Sequence, residues 1–479
     1  MRSILRPLAT VLVVALAIGV AGVAAANPGD VLRIGVKTND AGAADTKLSS
    51  SAPHFGLWLN ETGRGSALRA TATGSGPAAR FDGPVQVNGA CTGCLGRPGF
   101  ALKPAGTQVT TLDSGNDVGR YVSATIGVDG LGLISYEDAT TRRLMVAHCV
   151  NTACTSATTT AVLGLFNGTA GFWTSIAIGR DGLGLISSTQ RNTKTGVTGL
   201  EVTHCSNVDC TAATSTSLAS SVGAGTSIAI GSDGLGLISF QKGDGLLAGA
   251  LAMAHCSNPD CTSATVTIEN PPQLGGVPTW SSSDRVGADS SLTVQGDGLG
   301  LVTFTDTTDN RVFVTDCANP ACTFLDLGQL VSSGTASSLV TGDDGRGEIA
   351  VLSGSEVRLF HCNDTEFCTN FDTSSQFESS ESGVSITVGP AGQPILAGSN
   401  AGGPTEVADC ADPACGEKGE TPDTDESGIH RVAGTGSGFV SVTIGTDGFP
   451  LVATYDDAGH SLVVSHCSNQ MCLPYFRRR

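Results

Sequence analysis

The chain has 479 residues, 64 of them glycine and 16 cysteine, with a formal net charge of −18 at pH 7. An acidic balance of that size argues against nucleic acid and anionic membrane as partners, because both need a basic footprint. The cysteines are even in number and each is closely spaced to one partner, which points to an oxidising compartment.

Arg2 and Arg6, the apolar run Leu8 to Val23 and the small residues Ala24 to Ala26 read as a secretory signal peptide over residues 1–26. The alternative, an uncleaved anchor, is disfavoured because the run is short for a span and ends in small residues. No later segment has the length and apolarity to cross a bilayer, so a secreted, extracellular chain with no membrane insertion is expected. Losing the two arginines moves its charge from −18 to −20. Residues 27–105 are rich in glycine and alanine, with short runs such as His54 to Asn60, Ala67 to Ala72 and Pro84 to Asn88. They read either as a small β-rich module or as a largely disordered stalk. A module this small would need a partner chain to bury enough surface, which makes homo-oligomerisation through it part of the expectation. Cys91 and Cys94 form a C-x-x-C without a thioredoxin-like context, and a structural tie is the better reading.

From Ser123 onward one statement recurs seven times, S-[IAVL]-x-[IV]-G-x-D-G-[LF]-x-L-[IV] followed by L-x-V-x-[HD]-C-x-N-x-x-C. The turn aspartates are Asp129, Asp181, Asp233, Asp297, Asp344 and Asp447, with Ala391 in the sixth copy, 47 to 64 residues apart. Such a period means stacked supersecondary units. In the third copy Ser227 to Gly231 and Leu235 to Phe240 flank Asp233-Gly234, a strong hairpin signal. The alternating run Leu251 to Cys256 and the threonine-rich Thr262 to Ile268 add two more strands. One such sheet cannot bury both its faces, so neighbours must cover one another. The expected fold is all-β: a seven-bladed β-propeller of four-stranded antiparallel blades over residues 106–479, preceded by the small N-terminal module. A straight β-solenoid is the alternative, but it would need shorter, more uniform coils. The last copy runs out soon after Cys472, while Thr107 to Leu112 looks like the fourth strand of the other units. That strand, 107–112, is expected to complete the seventh blade.

Seven cysteine pairs recur at one place: Cys149/Cys154, Cys205/Cys210, Cys256/Cys261, Cys317/Cys322, Cys362/Cys368, Cys410/Cys415 and Cys467/Cys472. His148, His204, His255, His361 and His466 precede five of them, and Asp316 and Asp409 the other two. Disulfides, each closing a short loop worth about 2 kcal/mol by loop entropy, are favoured over metal. The histidines would sit on different blades, on the order of 10 Å apart against metal bonds of about 2 Å, so they cannot share one ion. Each is expected to bond a turn backbone or polar neighbour within its blade interface. The Gly-x-Asp-Gly segments lack further oxygen ligands at alternate positions and read as hairpin turns rather than calcium loops. The acidic run Glu417 to Glu426 reads as a solvated loop.

The S-I-A-I-G-x-D-G-L-x-L-I-S and V-A-H-C-x-N-x-x-C-T units resemble those of secreted bacterial β-propeller-repeat proteins. The inner-strand and turn pattern is also similar to NHL-type propellers, a resemblance that implies partner binding and carries over no catalytic residues. The run from Ala67 to Gly83 resembles β-rich repeats of bacterial surface proteins, which implies an oligomer.

The uniform Asp-Gly turns and cysteine loops leave one face of such a ring, and the variable connections leave the other. Variable loops on a rigid scaffold are where binding is usually placed. Phe172, Trp173 and Trp280 are assigned to connections from a fourth to a first strand, with Arg120, Tyr121, Arg285 and Arg431 in equivalent places. Exposed aromatics with arginines suit a sugar or peptide platform. The expectation is a non-catalytic binding or scaffold protein that takes an extracellular glycan or protein and needs no cofactor or metal. The alternative is a glycan-active hydrolase or lyase with carboxylates and arginines at the channel mouth. Neither a Gly-x-Ser-x-Gly nor an S-x-D-x-G-x-T-W pattern occurs.

Overall fold

The computed structural model describes residues 107–472, apart from 165–167, 244–248, 269–272, 275–276, 279–283, 326–328, 355, 364–367, 369–370, 379–380, 401–402, 411–428, 434–437 and 470–471. All of these lie in the second of two units into which the chain divides, Val85–Arg479. The signal sequence, residues 27–105 with Cys91 and Cys94, Trp280 and Cys415 lie outside the described residues.

The described part is all strand and turn, without a helix. It forms a seven-bladed β-propeller of four-stranded antiparallel sheets. Blades 1 to 6 take consecutive strands from residues 118–164, 168–220, 222–268, 288–333, 336–378 and 381–433. Blade 7 combines Val440–Ile444, Pro450–Asp456 and Ser461–His466 with Gln108–Asp113 as its outer strand, paired from Gln108 opposite His466 to Asp113 opposite Leu462. A two-stranded hairpin, Gln273–Leu274 with Val277–Pro278, sits between blades 3 and 4 and contributes to the longest spacing between copies.

Each part of the repeated motif has a physical job, seen in blade 3 with strands Val222–Ile230, Gly236–Lys242, Ala250–Cys256 and Ala264–Ile268. Gly234 takes a left-handed φ of 80° in the turn, a conformation that costs glycine nothing. Gly236 leaves room for packing: a Cβ there would lie 2.9 Å from Cys256 Sγ and 2.9 Å from Leu185 of blade 2. Asp233 Oδ1 accepts the Leu235 N–H at 3.0 Å, and its Oδ2 accepts from His255 Nε2 at 2.8 Å. The same pair forms between His148 and Asp129, His204 and Asp181, and His361 and Asp344. In blade 7 His466 Nε2 lies 2.9 Å from Asp447 Oδ2, but off the direction of a hydrogen bond. Blade 4 keeps the turn aspartate, with Asp297 Oδ1 accepting the Leu299 N–H at 2.9 Å, but has Asp316 in place of the histidine, and Gln295 Nε2 donates to Asp316 Oδ1 at 2.7 Å.

The cysteine loop is a small closed turn. Cys261 N–H bonds Asn258 O at 3.0 Å, and the Asn258 side chain clamps Thr262 through its N–H and hydroxyl. This explains why the copies read C-x-N-x-x-C-T. Disulfides close Cys149–Cys154, Cys205–Cys210, Cys256–Cys261, Cys317–Cys322, Cys362–Cys368 and Cys467–Cys472. Cys410 is also disulfide-bonded.

The core lies between blades, not within them. Among the described residues seven apolar clusters fill the seven interfaces: Leu133, Leu144 and Val146 of blade 1 pack on Ala170, Ile176 and Ile186 of blade 2, for example. Second strands are therefore covered on both faces, and Gly132–Asp138 is buried throughout. That double coverage explains near-continuous apolar runs where a half-exposed strand would alternate.

The motif's serine closes the ring. Its hydroxyl accepts a backbone N–H from the first strand of the next blade, in seven successive bonds. Ser123 receives Ile176, Ser175 Ile228, Ser227 Leu292, Ser291 Leu339, Ser338 Ile386, Ser385 Val442 and Ser441 Ala124, all between 3.0 and 3.2 Å.

Candidate functional site

Two residues before each ring serine, the first strand brings one residue to the mouth of the central channel. These are Tyr121, Trp173, Gly225, Asp289, Ala336, Gly383 and Phe439, one per blade. With their neighbours they line a cavity of about 460 Å³, within the range of small-molecule sites. The serine is the same in every copy, whereas this position differs in nearly all of them.

Bulges aim the side chains. The first strands slip register between Arg120 and Ser123, between Phe172 and Ser175, between Val222 and Thr226, and between Ala288 and Ser291. At each slip the collar residue has a left-handed φ: 53° at Tyr121, 47° at Trp173, 85° at Gly225 and 43° at Asp289. Glycine adopts this freely, while tyrosine, tryptophan and aspartate pay of order 1 kcal/mol each. Re-aimed side chains at bulges are a recurrent feature of binding sites.

The mouth is asymmetric. Blades 7, 1 and 2 form an aromatic wall, in which the Tyr121 ring lies 4.6 Å from Phe439, 5.2 Å from Trp173 and 5.7 Å from Phe172. Phe439 continues to Tyr455 at 6.2 Å, and the Arg120 guanidinium sits 5.3 Å above the Tyr455 ring. Blades 3 to 6 contribute only glycine, alanine and Asp289 at the same level.

A charged cluster backs the wall at the junction of blades 7 and 1. Asp117 accepts from Arg120 Nη2 at 2.8 Å and from the Tyr455 hydroxyl at 2.7 Å, and His460 Nδ1 lies 2.9 Å from that hydroxyl. Glu137, paired in register with Arg120, is buried. Burial lifts its carboxyl to about 7; Arg120 opposes the rise, and Asp117 and Asp138 add to it. Asp289 is likewise pushed up by burial, to about 6. Tyr121 is raised mainly by burial and also feels the charges of Glu137, Arg120 and Asp289. One tyrosine thus shares its surroundings with two acids that hold protons unusually tightly.

Arg120, Tyr121, Phe172 and Trp173 come together at this mouth, but on the first strands Val118–Ile126 and Gly168–Ile178 rather than in the connections assigned to them. The bulges lengthen those strands past the turn where the sequence pattern ends them. Arg285 does lie in a connection, exposed and away from the cavity lining, its backbone bonded to Thr307 and Thr308. Arg431 belongs to the outer strand Ile429–Ala433, which pairs with Thr405–Asp409, and not to a connection. Asp289, Phe439 and Glu137 were not foreseen. Counting two residues back from the motif serine would have found the first two; Glu137 occupies a strand position that is threonine or glutamine in the next two blades.

No protein-family model matches the chain, and no curated protein matches it. Among solved structures, it is similar to an α-L-arabinanase from Penicillium chrysogenum complexed with arabinobiose. That likeness has a TM-score of 0.47 and 8% identity, and covers 76% of this chain and 98% of the other. An α-L-arabinofuranosidase from Fusarium graminearum gives a TM-score of 0.42 and 10% identity, covering 76% and 97%. A protein of unknown function from Dyadobacter fermentans gives 0.45 and 9%, covering 63% and 97%. Likeness at this level says nothing about what the chain binds.

Proposed function

We propose that the protein is an extracellular binding protein that takes a glycan at the mouth of its propeller channel. The observation that carries this reading is the seven-residue collar, uniform in position and divergent in chemistry, with three left-handed non-glycine residues aimed into one cavity. Strain of this kind persists where surrounding structure is spent on holding a side chain in place. A wall of Tyr121, Trp173 and Phe439 offers flat apolar faces to the C–H side of a sugar ring, and Asp289 with its polar neighbours faces the hydroxyls. Multiple disulfides and the absence of a membrane-spanning helix among the described residues are in keeping with an extracellular setting.

The test is a glycan array with the full-length protein, followed by Trp173→Gly, which retains a backbone that glycine adopts readily. Loss of at least tenfold in affinity for the array hits is expected; unchanged binding would remove the site. A second reading, glycan cleavage, is favoured by Asp289, an acid raised by burial that lines the same cavity as Tyr121. Incubating array hits with wild type and Asp289→Asn separates the two. Product formed by the first and not by the second makes the protein an enzyme.

A further inference from the structure

Among the described residues, two blade interfaces carry a histidine set between two aspartates. In blades 1 and 2 the turn aspartate fixes one side of the histidine ring, with Asp129 on His148 Nε2 and Asp181 on His204 Nε2, both at 2.8 Å. The other ring nitrogen points across the interface to an aspartate in the next blade's cysteine loop. His148 Nδ1 lies 3.6 Å from Asp209 Oδ1, and His204 Nδ1 lies 3.9 Å from Asp260 Oδ1. Both histidine side chains are about nine-tenths buried, at 9% and 10% exposure.

The geometry across that gap is not that of a direct hydrogen bond. An ionised carboxylate only accepts, so Nε2 must donate its hydrogen to the turn aspartate, and neutral imidazole then presents a lone pair at Nδ1. Lone pair and carboxylate then face one another across the interface as two acceptors. A proton on Nδ1 would make an ion pair with the aspartate, but at 3.6 and 3.9 Å not a direct hydrogen bond. The gap is close to the separation, about 3.3 Å, of two adjacent ligands on a tetrahedral ion with bonds of about 2.0–2.1 Å. An aspartate on the far nitrogen is also the usual outer partner of a metal-bound histidine, where it fixes the tautomer and the ring's orientation. In each cluster, ligand atoms of all three residues fall within 4.8 Å of one another.

The sequence supplies its own controls. The residue before the second cysteine is Asp209 and Asp260 in blades 2 and 3, but Ala153, Ala321, Phe367, Ala414 and Met471 in the other copies. His255 has the same bond to its turn aspartate, yet the loop that follows it carries Ala321.

We propose that these are two separate divalent transition-metal sites. Each ion would be held by His148 Nδ1 with Asp209 Oδ1, or His204 Nδ1 with Asp260 Oδ1, with water completing the shell and Asp129 or Asp181 orienting the ring. Imidazole with carboxylate suits Zn²⁺ better than Ca²⁺ or Mg²⁺. Each ion bridges two blades, so the sites revise the expectation of a metal-free scaffold without requiring the histidines to converge on one ion.

The test is calorimetric titration of the chelator-stripped full chain with Zn²⁺ at pH 7. Two equivalents are expected for wild type, one for Asp209→Asn, one for Asp260→Asn and none for the double variant, each lost site being weakened at least tenfold. Both aspartates are well exposed, at 62% and 59%, so the variants fold, and a His255→Gln control should keep two equivalents. Wild-type stoichiometry in the double variant, or no uptake by wild type at millimolar Zn²⁺, overturns the proposal.

Discussion

Asp233 works through both of its oxygens, one holding the turn and one holding His255. The repeated aspartate was legible as a turn residue, but its bond to a histidine 22 positions later was not, because only strand register brings them together. Loss of a charge-assisted bond at this depth costs about 1–2 kcal/mol. His255→Ala is therefore expected to lower stability by that amount in urea melts while leaving ligand affinity unchanged. Glu137 gives a pH signature. Its folded value of about 7 lies above the ordinary 4.5, so the native state binds the proton more tightly than the unfolded chain does. The charge penalty of burying this acid is absent below pH 4.5, grows as pH rises toward 7 and is complete above it. Glu137→Gln should match wild type near pH 4 and exceed it in stability by up to about 3 kcal/mol above pH 7. Parallel stability curves across that window would show that the carboxyl is not shifted.

Strands and turns were legible because Asp-Gly dipeptides punctuate apolar runs at a steady period. The bulges in the first strands were not, since a one-residue slip leaves hydrophobic order almost intact while turning a side chain toward the channel. That slip is why Tyr121 and Trp173 read as loop residues but lie within strands. The serine at the centre of each first strand was visible as a repeat letter, yet its role depends on the neighbouring blade. Ser227→Ala leaves the Leu292 N–H without its acceptor at an interface, and a loss of about 1–3 kcal/mol follows from stranding a buried donor. Equilibrium denaturation checks this; Ser227→Thr, which retains the hydroxyl, should recover much of the loss.

At the scale of the molecule, stability resides in interfaces that pass from blade to blade and return to the first. Gln108–Asp113 completes blade 7, Leu112 packs into the cluster between blades 7 and 1, and Asp113 accepts from the buried Tyr136 hydroxyl at 2.7 Å. Deleting Gln108–Asp113 from the full chain is expected to cost more than about 4 kcal/mol, at the severe end for a local lesion. A calorimetric scan matching that of the intact protein would argue that the ring does not depend on this strand. The same pairing orders events during synthesis. Val109 meets Ser465, 356 positions later, so a chain emerging amino end first must carry its outer strand unpaired through the making of six blades. The disulfides face no such wait, since five of the six resolved pairs are 5 residues apart and the other 6. Each loop is able to oxidise as soon as its own hairpin appears, locking blades one by one while the circle is still open.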